Sequence, residues 1–300
     1  MKLLARVLAT LLLAAVPAVA APAGEIVVVC DTAIAPYRAL QEGFAKSSPL
    51  PVRVVAPEDA AGEDFEKRLR REGVRAVLAV GTGSRNAVER LRELPVLLAM
   101  VPEVEAWVAA QPNRLGIEMA LSPRQHLETM RRVFPRARRV GVVFDPGQVG
   151  GYVRKAASVA GAGLTLVTRE IARPAELQRR LEELRGQVDV LWLLPDPTAL
   201  QGANLSILLQ ESFEARVPLY GFARKYVELG AVAAAHLDPA AMGAQAAGML
   251  VAALDPAAAP AAARWQYATG AQLIVNQKVA RKMGLDLDSA LLEEADDVLR

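Results

Sequence analysis

The chain has 300 residues, with 35 lysines and arginines against 33 aspartates and glutamates, and 53% of its residues are hydrophobic. This near balance of charge argues against a nucleic-acid-binding protein, which carries a basic footprint. One cysteine and two histidines exclude an internal disulfide and a histidine–cysteine metal cluster. We therefore expect two domains, with no metal, no cofactor and no nucleic-acid partner.

The first twenty residues have the pattern of a secretory signal peptide. Lys2 and Arg6 precede an apolar stretch, and Ala-Val-Ala at 18–20 matches the small-x-small pattern of a cleavage site. The alternative is an uncleaved membrane anchor, which Pro17 and the small residues disfavour. We expect an exported protein whose mature chain begins near Ala21.

Short runs rich in Val, Leu, Ile and Ala alternate with helical patterns along the rest of the chain. Nearly continuous apolar runs are typical of parallel strands covered by helices on both faces. Amphipathic helices are predicted at 61–73 (AGEDFEKRLRREG) and 174–186 (PAELQRRLEELRG). The pattern predicts an α/β fold of two successive Rossmann-like units. Its strands are expected near 25–30, 51–56, 75–80, 95–100, 138–144, 164–168, 188–194, 217–221 and 231–236.

Two segments interrupt this rhythm and are candidate connections between the units. The segment 101–117 contains two prolines, and 255–267 is rich in Ala and Pro. Residues 239–254, directly before the second of these segments, are predicted as a helix that is too short for a membrane span. We expect an N-terminal lobe of residues 21–117 plus about 239–267, and a C-terminal lobe of residues 118–238 plus about 268–300.

The residues that follow the predicted strands are the candidate ligand contacts, because strand ends meet at one edge of a parallel sheet. The strongest candidate is Gly-Thr-Gly-Ser at 81–84, since it joins a strand to a helix start, where free N–H groups bind anions. Residues of these types are also common in ordinary turns. The candidates are Asp31, Gly81, Thr82, Ser84, Met100, Asp145, Gln148, Gly150, Asp196, Phe222, Arg224 and Asp238.

The loop DPGQVGG at 145–151 lies between a strand and a helix, as a dinucleotide-binding loop does. Such loops need G-x-G-x-x-G, whereas this loop has Gly147, Gly150 and Gly151 at a different spacing. A phosphate-binding GxxxxGK[ST] motif is also missing here. We interpret the segment as a ligand-binding loop that does not hold a nucleotide.

The cysteine and the histidines show no catalytic pattern. Cys30 ends an apolar strand with no histidine near it in sequence, which predicts a buried thiol. His126 lies in a predicted helix and His236 ends a strand, and both are interpreted as structural. No Ser/His/Asp arrangement is present, so we expect that the protein is not an enzyme.

The C-terminal segment LIVNQKVARKMGLDLDSALLEEADDVL carries the clearest family pattern, an Asn-containing strand, a short helix ending in Gly-Leu, and an Ala-Asp-x-Val end. Six segments before it occur in the same order as in that family: QEGF, GTGS, FDPGQ, VDVLWLLPDPTAL, VPLYGFARKYVELGAVAA and LDPAAMGAQAAGML. Across nearly the whole mature chain, the sequence resembles the ABC transporter substrate-binding proteins related to tryptophan- and tyrosine-uptake receptors.

This resemblance implies a type I periplasmic binding fold, in which two lobes close over a small organic solute. It implies a periplasmic monomer that delivers its ligand to an ABC permease in the inner membrane. Family ligand contacts correspond to the positions around Asp31, Thr82, Asp145, Asp196 and Asp238. The alternatives are a sensory receptor with the same fold and, from another class, an enzyme that uses cleft carboxylates.

Two departures from the family pattern affect the ligand expected. The family has Asn-Pro-x-Glu-x-Asn-Ser where this chain has 145–151, so side-chain contacts are lost there. An acidic, Ser/Thr-rich family loop is replaced by GFARKY at 221–226. Arg224 in this loop is therefore predicted to contact a ligand carboxylate from the lobe opposite Thr82.

Overall fold

The computed structural model describes residues 24–60, 62, 64–161, 163–255 and 263–300. The predicted signal peptide lies outside these residues. Within them, the chain forms two β-sheets with helices packed on their faces. None of the described helices has the length and apolar character needed to cross a membrane.

The described strands are β1 (Glu25–Cys30), β2 (Val52–Val55), β3 (Val74–Val80), β4 (Val96–Ala99), β5 (Arg114–Leu121), β6 (Arg139–Phe144), β7 (Thr165–Glu170), β8 (Val190–Trp192), β9 (Leu219–Gly221), β10 (Ala233–Leu237), β11 (Trp265–Ala268), β12 (Ala271–Asn276) and β13 (Asp297–Leu299). The described α-helices are α1 (Ala35–Ser47), α2 (Phe65–Arg71), α3 (Gly81–Val88), α4 (Val104–Ala109), α5 (Pro123–Val133), α6 (Pro146–Val159), α7 (Leu177–Glu182), α8 (Asn204–Ala215), α9 (Arg224–Leu229), α10 (Pro239–Leu254), α11 (Gln277–Lys282) and α12 (Ser289–Glu294). A short 3₁₀ helix, Pro174–Glu176, leads into α7.

The first sheet has six strands in the order β11-β5-β4-β3-β1-β2, and the pairs between them are parallel. The second sheet has seven strands in the order β13-β12-β10-β9-β8-β6-β7, with one antiparallel pair between β10 and β12. The nine predicted strands are all present, which confirms the predicted α/β class. The sequence prediction missed β5, β11 and β13, whereas β12 is the Asn-containing strand of the C-terminal family pattern.

The apolar strands form the core of each sheet because both faces are covered. Ile26, Val27, Val28 and Val29 of β1 are fully buried, with alternate residues entering different core clusters on opposite faces. Val142 and Val143 of β6 are buried in the same way in the second sheet, since they enter different core clusters. Burial on both faces explains why these strands lack the polar alternation of a half-exposed sheet.

The chain passes between the two sheets at three places. β5 of the first sheet leads through Ser122 into α5, β10 of the second sheet leads through Asp238 into α10, and β11 of the first sheet leads through residues 269–270 into β12. Of the flanking helices, α10 packs on α1 and on strands of the first sheet. The division of the chain into two lobes at the predicted residues stays a prediction.

The three crossings are joined by hydrogen bonds that meet at Thr269. Gln125 of α5 donates to the Thr269 carbonyl (2.9 Å), and its oxygen accepts from the backbone N–H of Ser122 (2.9 Å). Gln245 of α10 accepts from the Thr269 N–H (3.0 Å) and donates to the Tyr267 carbonyl (2.9 Å). The first crossing is thus tied to the third by Gln125 of α5, and the second crossing is tied to the third by Gln245 of α10.

Helices α1 and α10 approach closely because glycines face each other across the contact. A Cβ atom added to Gly43 would lie 2.1 Å from the Ala240 carbonyl oxygen. A Cβ added to Gly243 would lie 2.0 Å from the Leu40 carbonyl oxygen. Backbone meets backbone at both positions, so neither helix has room for a side chain there.

Candidate ligand-binding site

The amino end of α3 forms a potential anion-binding surface after β3. Its N-cap is Val80, so no side chain caps the first turn, and the orphan N–H groups of a first turn favour anions. Gly81 has a φ of 83°, and a Cβ there would lie 2.5 Å from the Tyr37 ring, so glycine is required. Thr82 is exposed beside this turn.

Ser84 does not share this exposure. It is 1% exposed and lies on the buried side of α3 together with Gly81 and Val88. Its hydroxyl has no hydrogen-bond partner among the described residues. The helix period turns the Ser84 side chain toward the sheet, whereas Thr82 faces outward, and Ser84 as a ligand contact stays a prediction.

The loop between β4 and α4 contains two strained residues. Met100 has a φ of 57° and Glu103 a φ of 55°, both in the left-handed region that non-glycine residues rarely adopt. Such conformations cost about 1–3 kcal/mol each and are concentrated at binding and catalytic sites. Met100, a predicted contact, is half-buried, so this loop presents an apolar surface at the strand end.

Asp145, Asp196 and Thr198 link the loops that follow β6 and β8. The Asp145 N–H donates to Asp196 Oδ2 (2.6 Å), and the Thr198 hydroxyl donates to Asp145 Oδ2 (2.7 Å). Asp196 is fully buried, so a solute at the surface has no access to its carboxylate in this conformation. Direct contact of a solute with Asp196 would need a different arrangement of these loops and stays a prediction, while Asp145 is half-buried at the start of α6.

The first turn of α6 presents mainly backbone to the surface. Asp145 Oδ1 accepts from the Gly147 N–H (2.8 Å), and Gln148 is exposed one residue later. Gly150 is buried, and a Cβ there would lie 3.3 Å from Arg154 Nη1. Gln148 is thus accessible to a ligand, whereas Gly150 contributes close packing.

The loop after β9 carries Arg224, whose guanidinium is paired with Glu228 (2.8 Å) and with Asp297 of β13. These ion pairs link α9 to the C-terminal strand, and Arg224 as a ligand contact stays a prediction. Phe222 is half-buried, and its ring centroid lies 4.7 Å from that of Tyr226.

Asp31 and Asp238 both accept hydrogen bonds from the backbone of the turn that follows them. Asp31 is exposed and accepts from the Ala33 N–H (3.0 Å). Asp238 caps α10 by accepting from the Ala240 N–H (2.9 Å). Nearby, burial lowers the pKa of His236, and the charge of Arg224 acts in the same direction.

Cys30 and His126 are buried, as predicted for structural residues. Burial raises the pKa of the Cys30 thiol to about 11, with a smaller contribution from Asp31, so the nucleophilic thiolate is scarce at neutral pH. His126 Nδ1 lies 3.1 Å from the Tyr220 hydroxyl, and its ring centroid lies 5.5 Å from that of Trp192, with the two rings tilted by 49°. Among the described residues, no group of three or more His, Cys, Asp or Glu side chains is placed to hold a metal ion.

Tyr37 and Thr198 contact residues of the candidate site, at Gly81 and Asp145, and the sequence reasoning missed both. Neither directly follows a strand, and strand ends were the only signal used. The Asp-Pro-Thr sequence at 196–198 could have indicated Thr198, because hydroxyl side chains often cap the turn after such a pair. Nothing in the sequence indicates that the Tyr37 ring lies over Gly81.

Comparison with solved structures gives the fold. The open, ligand-free structure of a substrate-binding protein with adhesive properties from Clostridium difficile has a TM-score of 0.66 at 18% identity, over 92% of this chain and 98% of that one. An ABC domain in complex with L-Trp from Streptococcus pneumonia has a TM-score of 0.55 at 20% identity, over 92% and 100%. These similarities confirm the type I periplasmic binding architecture.

Sequence comparisons give the family. A tyrosine-binding protein of Clostridioides difficile (strain R20291) is 22% identical over 172 residues, which are 54% of this chain. The chain spans about half the length of this curated relative (49%). The sequence model described as ABC transporter substrate binding protein matches residues 59–299. Because that match covers most of the chain, the protein belongs to the family of ABC transporter substrate-binding proteins.

Proposed function

We propose that this protein is the periplasmic receptor of an ABC importer and binds a small amino-acid-like solute between two lobes. As a monomer, it would deliver this solute to a permease in the inner membrane. Membership of the substrate-binding family supports the receptor role. The tyrosine-binding relative and the L-Trp complex support an amino-acid-like ligand.

The uncapped amino end of α3 is the observation that carries the ligand class. Its backbone N–H groups and the exposed Thr82 hydroxyl suit a carboxylate, because charge-assisted hydrogen bonds to such a group are strong. The Tyr37 ring covers Gly81 beside it. A solute that ends in a carboxylate would therefore bind with that end against α3.

Apolar side chains near the same strand ends suit the rest of such a solute. Ile34 precedes α1 and is 41% exposed although it is a large hydrophobic residue. Met100 and Phe222 are half-buried at the ends of β4 and β9, in different sheets. Contacts from both sheets would favour a closed state over an open one, which is how such a receptor couples binding to closure.

The ligand class is tested by native mass spectrometry of protein purified without refolding, followed by calorimetry with L-tyrosine and L-tryptophan. A co-purifying amino acid or related carboxylate is the expected result. Purified protein that carries a sugar, and that binds neither amino acid, would contradict the assignment.

Replacing Thr82 by alanine should weaken binding of the identified solute about tenfold, because one hydrogen bond to a charged group is worth about 1.4 kcal/mol or more. Calorimetry measures this change. Thr165→Ala is the matched control, since Thr165 is an exposed threonine at the start of β7, away from the strand ends where the ligand is expected. Equal affinities of the two variants would remove Thr82 from the site.

Export is tested by N-terminal sequencing of the protein recovered from the periplasm. We expect the mature chain to begin at or next to Ala21, as the cleavage pattern at 18–20 predicts. An intact Met1 on protein held in the membrane fraction would favour the anchor alternative.

A further inference from the structure

Asp196 is a buried carboxylate whose oxygens both accept from backbone. Oδ2 accepts from the Asp145 N–H (2.6 Å), and Oδ1 accepts from the N–H groups of Thr198 (2.8 Å) and Ala199 (3.1 Å). A buried charge is costly unless hydrogen bonds replace its hydration. Three N–H donors meet that need, so the side chain is committed to holding the two loops together.

Thr198 adds a second link between the same loops. Its hydroxyl donates to Asp145 Oδ2 (2.7 Å), while Asp145 Oδ1 accepts from the Gly147 N–H (2.8 Å). Asp145 is thereby held through its backbone and through its side chain. Its position fixes where α6 begins.

The loop that is held in this way has little stiffness of its own. Gly147, Gly150 and Gly151 lie in the first turns of α6, and glycine has more backbone freedom to lose than any other residue. A ligand that had to order this segment would bind more weakly than one that meets an ordered segment. The hydrogen bonds that join Asp196 and Thr198 to Asp145 therefore matter more for ordering this segment than they would in a segment of larger residues.

The braced helix also contacts the first sheet. The Tyr152 hydroxyl of α6 donates to the Leu121 carbonyl at the end of β5 (2.8 Å). The ring centroid of Tyr152 lies 6.2 Å from that of Tyr267 on β11. The position of the α6 amino end is thus linked to the surface where the two sheets meet.

We propose that Asp196 and Thr198 are positioning residues of the ligand site, which hold Asp145 and the first turn of α6 (residues 145–148) in their ligand-facing geometry before any solute arrives. This inference rests on the proposed function, because it assigns a role within the same site. Neither side chain contacts the solute. Both act through Asp145.

Asp189 provides a matched control at the other end of the same two strands. Its Oδ2 accepts from the N–H groups of Arg138 and Arg139 (both 2.8 Å), just where β6 begins. Asp189 precedes β8 as Asp196 follows it. Both carboxylates thus accept from backbone N–H groups and link β6 to β8 at opposite ends of these strands, although Asp189 also pairs with the Arg139 guanidinium (2.8 Å).

The test compares Asp196→Asn with Asp189→Asn in the full-length mature protein. Asparagine has one acceptor oxygen, so its NH₂ group must face an N–H donor and leave it without an acceptor. In ligand-free protein, we expect Asp196→Asn to speed amide hydrogen exchange at Asp145 and Gly147 about tenfold or more, by NMR. Asp189→Asn should speed exchange at Arg138 and Arg139 instead.

Thr198→Val keeps the shape of the side chain and removes only the hydroxyl bond. It should speed exchange at Gly147 while the rest of the second sheet keeps its protection, which supplies the answer if Asp196→Asn fails to fold. Unchanged exchange at Asp145 and Gly147 in a folded Asp196→Asn or Thr198→Val variant would overturn the proposal. Faster exchange at these two amides in Asp189→Asn would also overturn it.

Affinity separates this inference from the proposed function. With L-tyrosine and L-tryptophan as probes, Asp196→Asn should bind about tenfold more weakly than the wild type, whereas Asp189→Asn should bind equally well. Equal affinity of both variants, despite faster exchange in Asp196→Asn, would contradict a role in binding. If the wild type binds neither probe, the proposed ligand class fails and the exchange comparison decides the positioning role.

Discussion

Replacing Gly243 by alanine is expected to lower the free energy of unfolding by about 3 kcal/mol. The added methyl group would lie 2.0 Å from the Leu40 carbonyl oxygen and 2.6 Å from the Phe44 nitrogen, and both atoms belong to the backbone of α1. Backbone yields less readily than the end of a flexible side chain, so the two helices must separate. Denaturation with guanidinium chloride measures the change.

Gly248→Ala in the same helix is the control. Gly248 is exposed, and no atom lies within 4 Å of an added Cβ. Alanine should there raise the free energy of unfolding by about 0.5–1 kcal/mol, because glycine loses more backbone entropy in a helix. Two variants of α10 with the same sign of change would contradict the close contact of α1 and α10.

The protein should lose about 3 kcal/mol of stability between pH 6.5 and pH 4 through His126 alone. Burial lowers the pKa of His126 from its ordinary value of 6.5 to about 4. In this window the unfolded chain binds a proton that the folded protein does not, so the free energy of unfolding falls as pH falls. Above about pH 7.5 the imidazole is neutral in both states and its contribution is constant.

His126→Asn isolates this effect, because the amide can replace Nδ1 beside the Tyr220 hydroxyl and does not titrate. Denaturation midpoints of both proteins across the same pH window give the two slopes. Carboxylates contribute equally to both, so the wild type should show the steeper loss. Parallel slopes would mean that His126 is protonated in the folded protein.

The fold could be predicted from the sequence wherever a strand is buried on both faces. β1, β3 and β6 are continuous apolar runs, and this composition is incompatible with a loop. β5 was missed because it follows a proline-containing segment and includes Glu118 and the exposed Met119. β11 and β13 were missed because short strands at a sheet edge lack the continuous apolar run of a central strand.

The candidate site could be predicted only as a set of strand ends. Asp31, Asp145 and Asp196 follow strands in the same sequence pattern, yet Asp31 is exposed and Asp196 is fully buried. The direction of such a side chain depends on which backbone N–H groups a neighbouring loop offers, and that loop is distant in sequence. Arg224 shows the same limit, since its partner Asp297 lies near the C-terminus.

The hydrogen bonds at Thr269 limit the number of independent motions between the two sheets. Three separate connections could each twist by their own torsions, and the sheets could then slide, tilt or rotate. Gln125 ties the first connection to the third, while Gln245 and the Asp238 N–H, which donates to the Gly270 carbonyl (3.3 Å), tie the second to the third. With these bonds intact, we expect the connections to turn together, which would favour rotation of the sheets about one common axis over independent sliding or tilting.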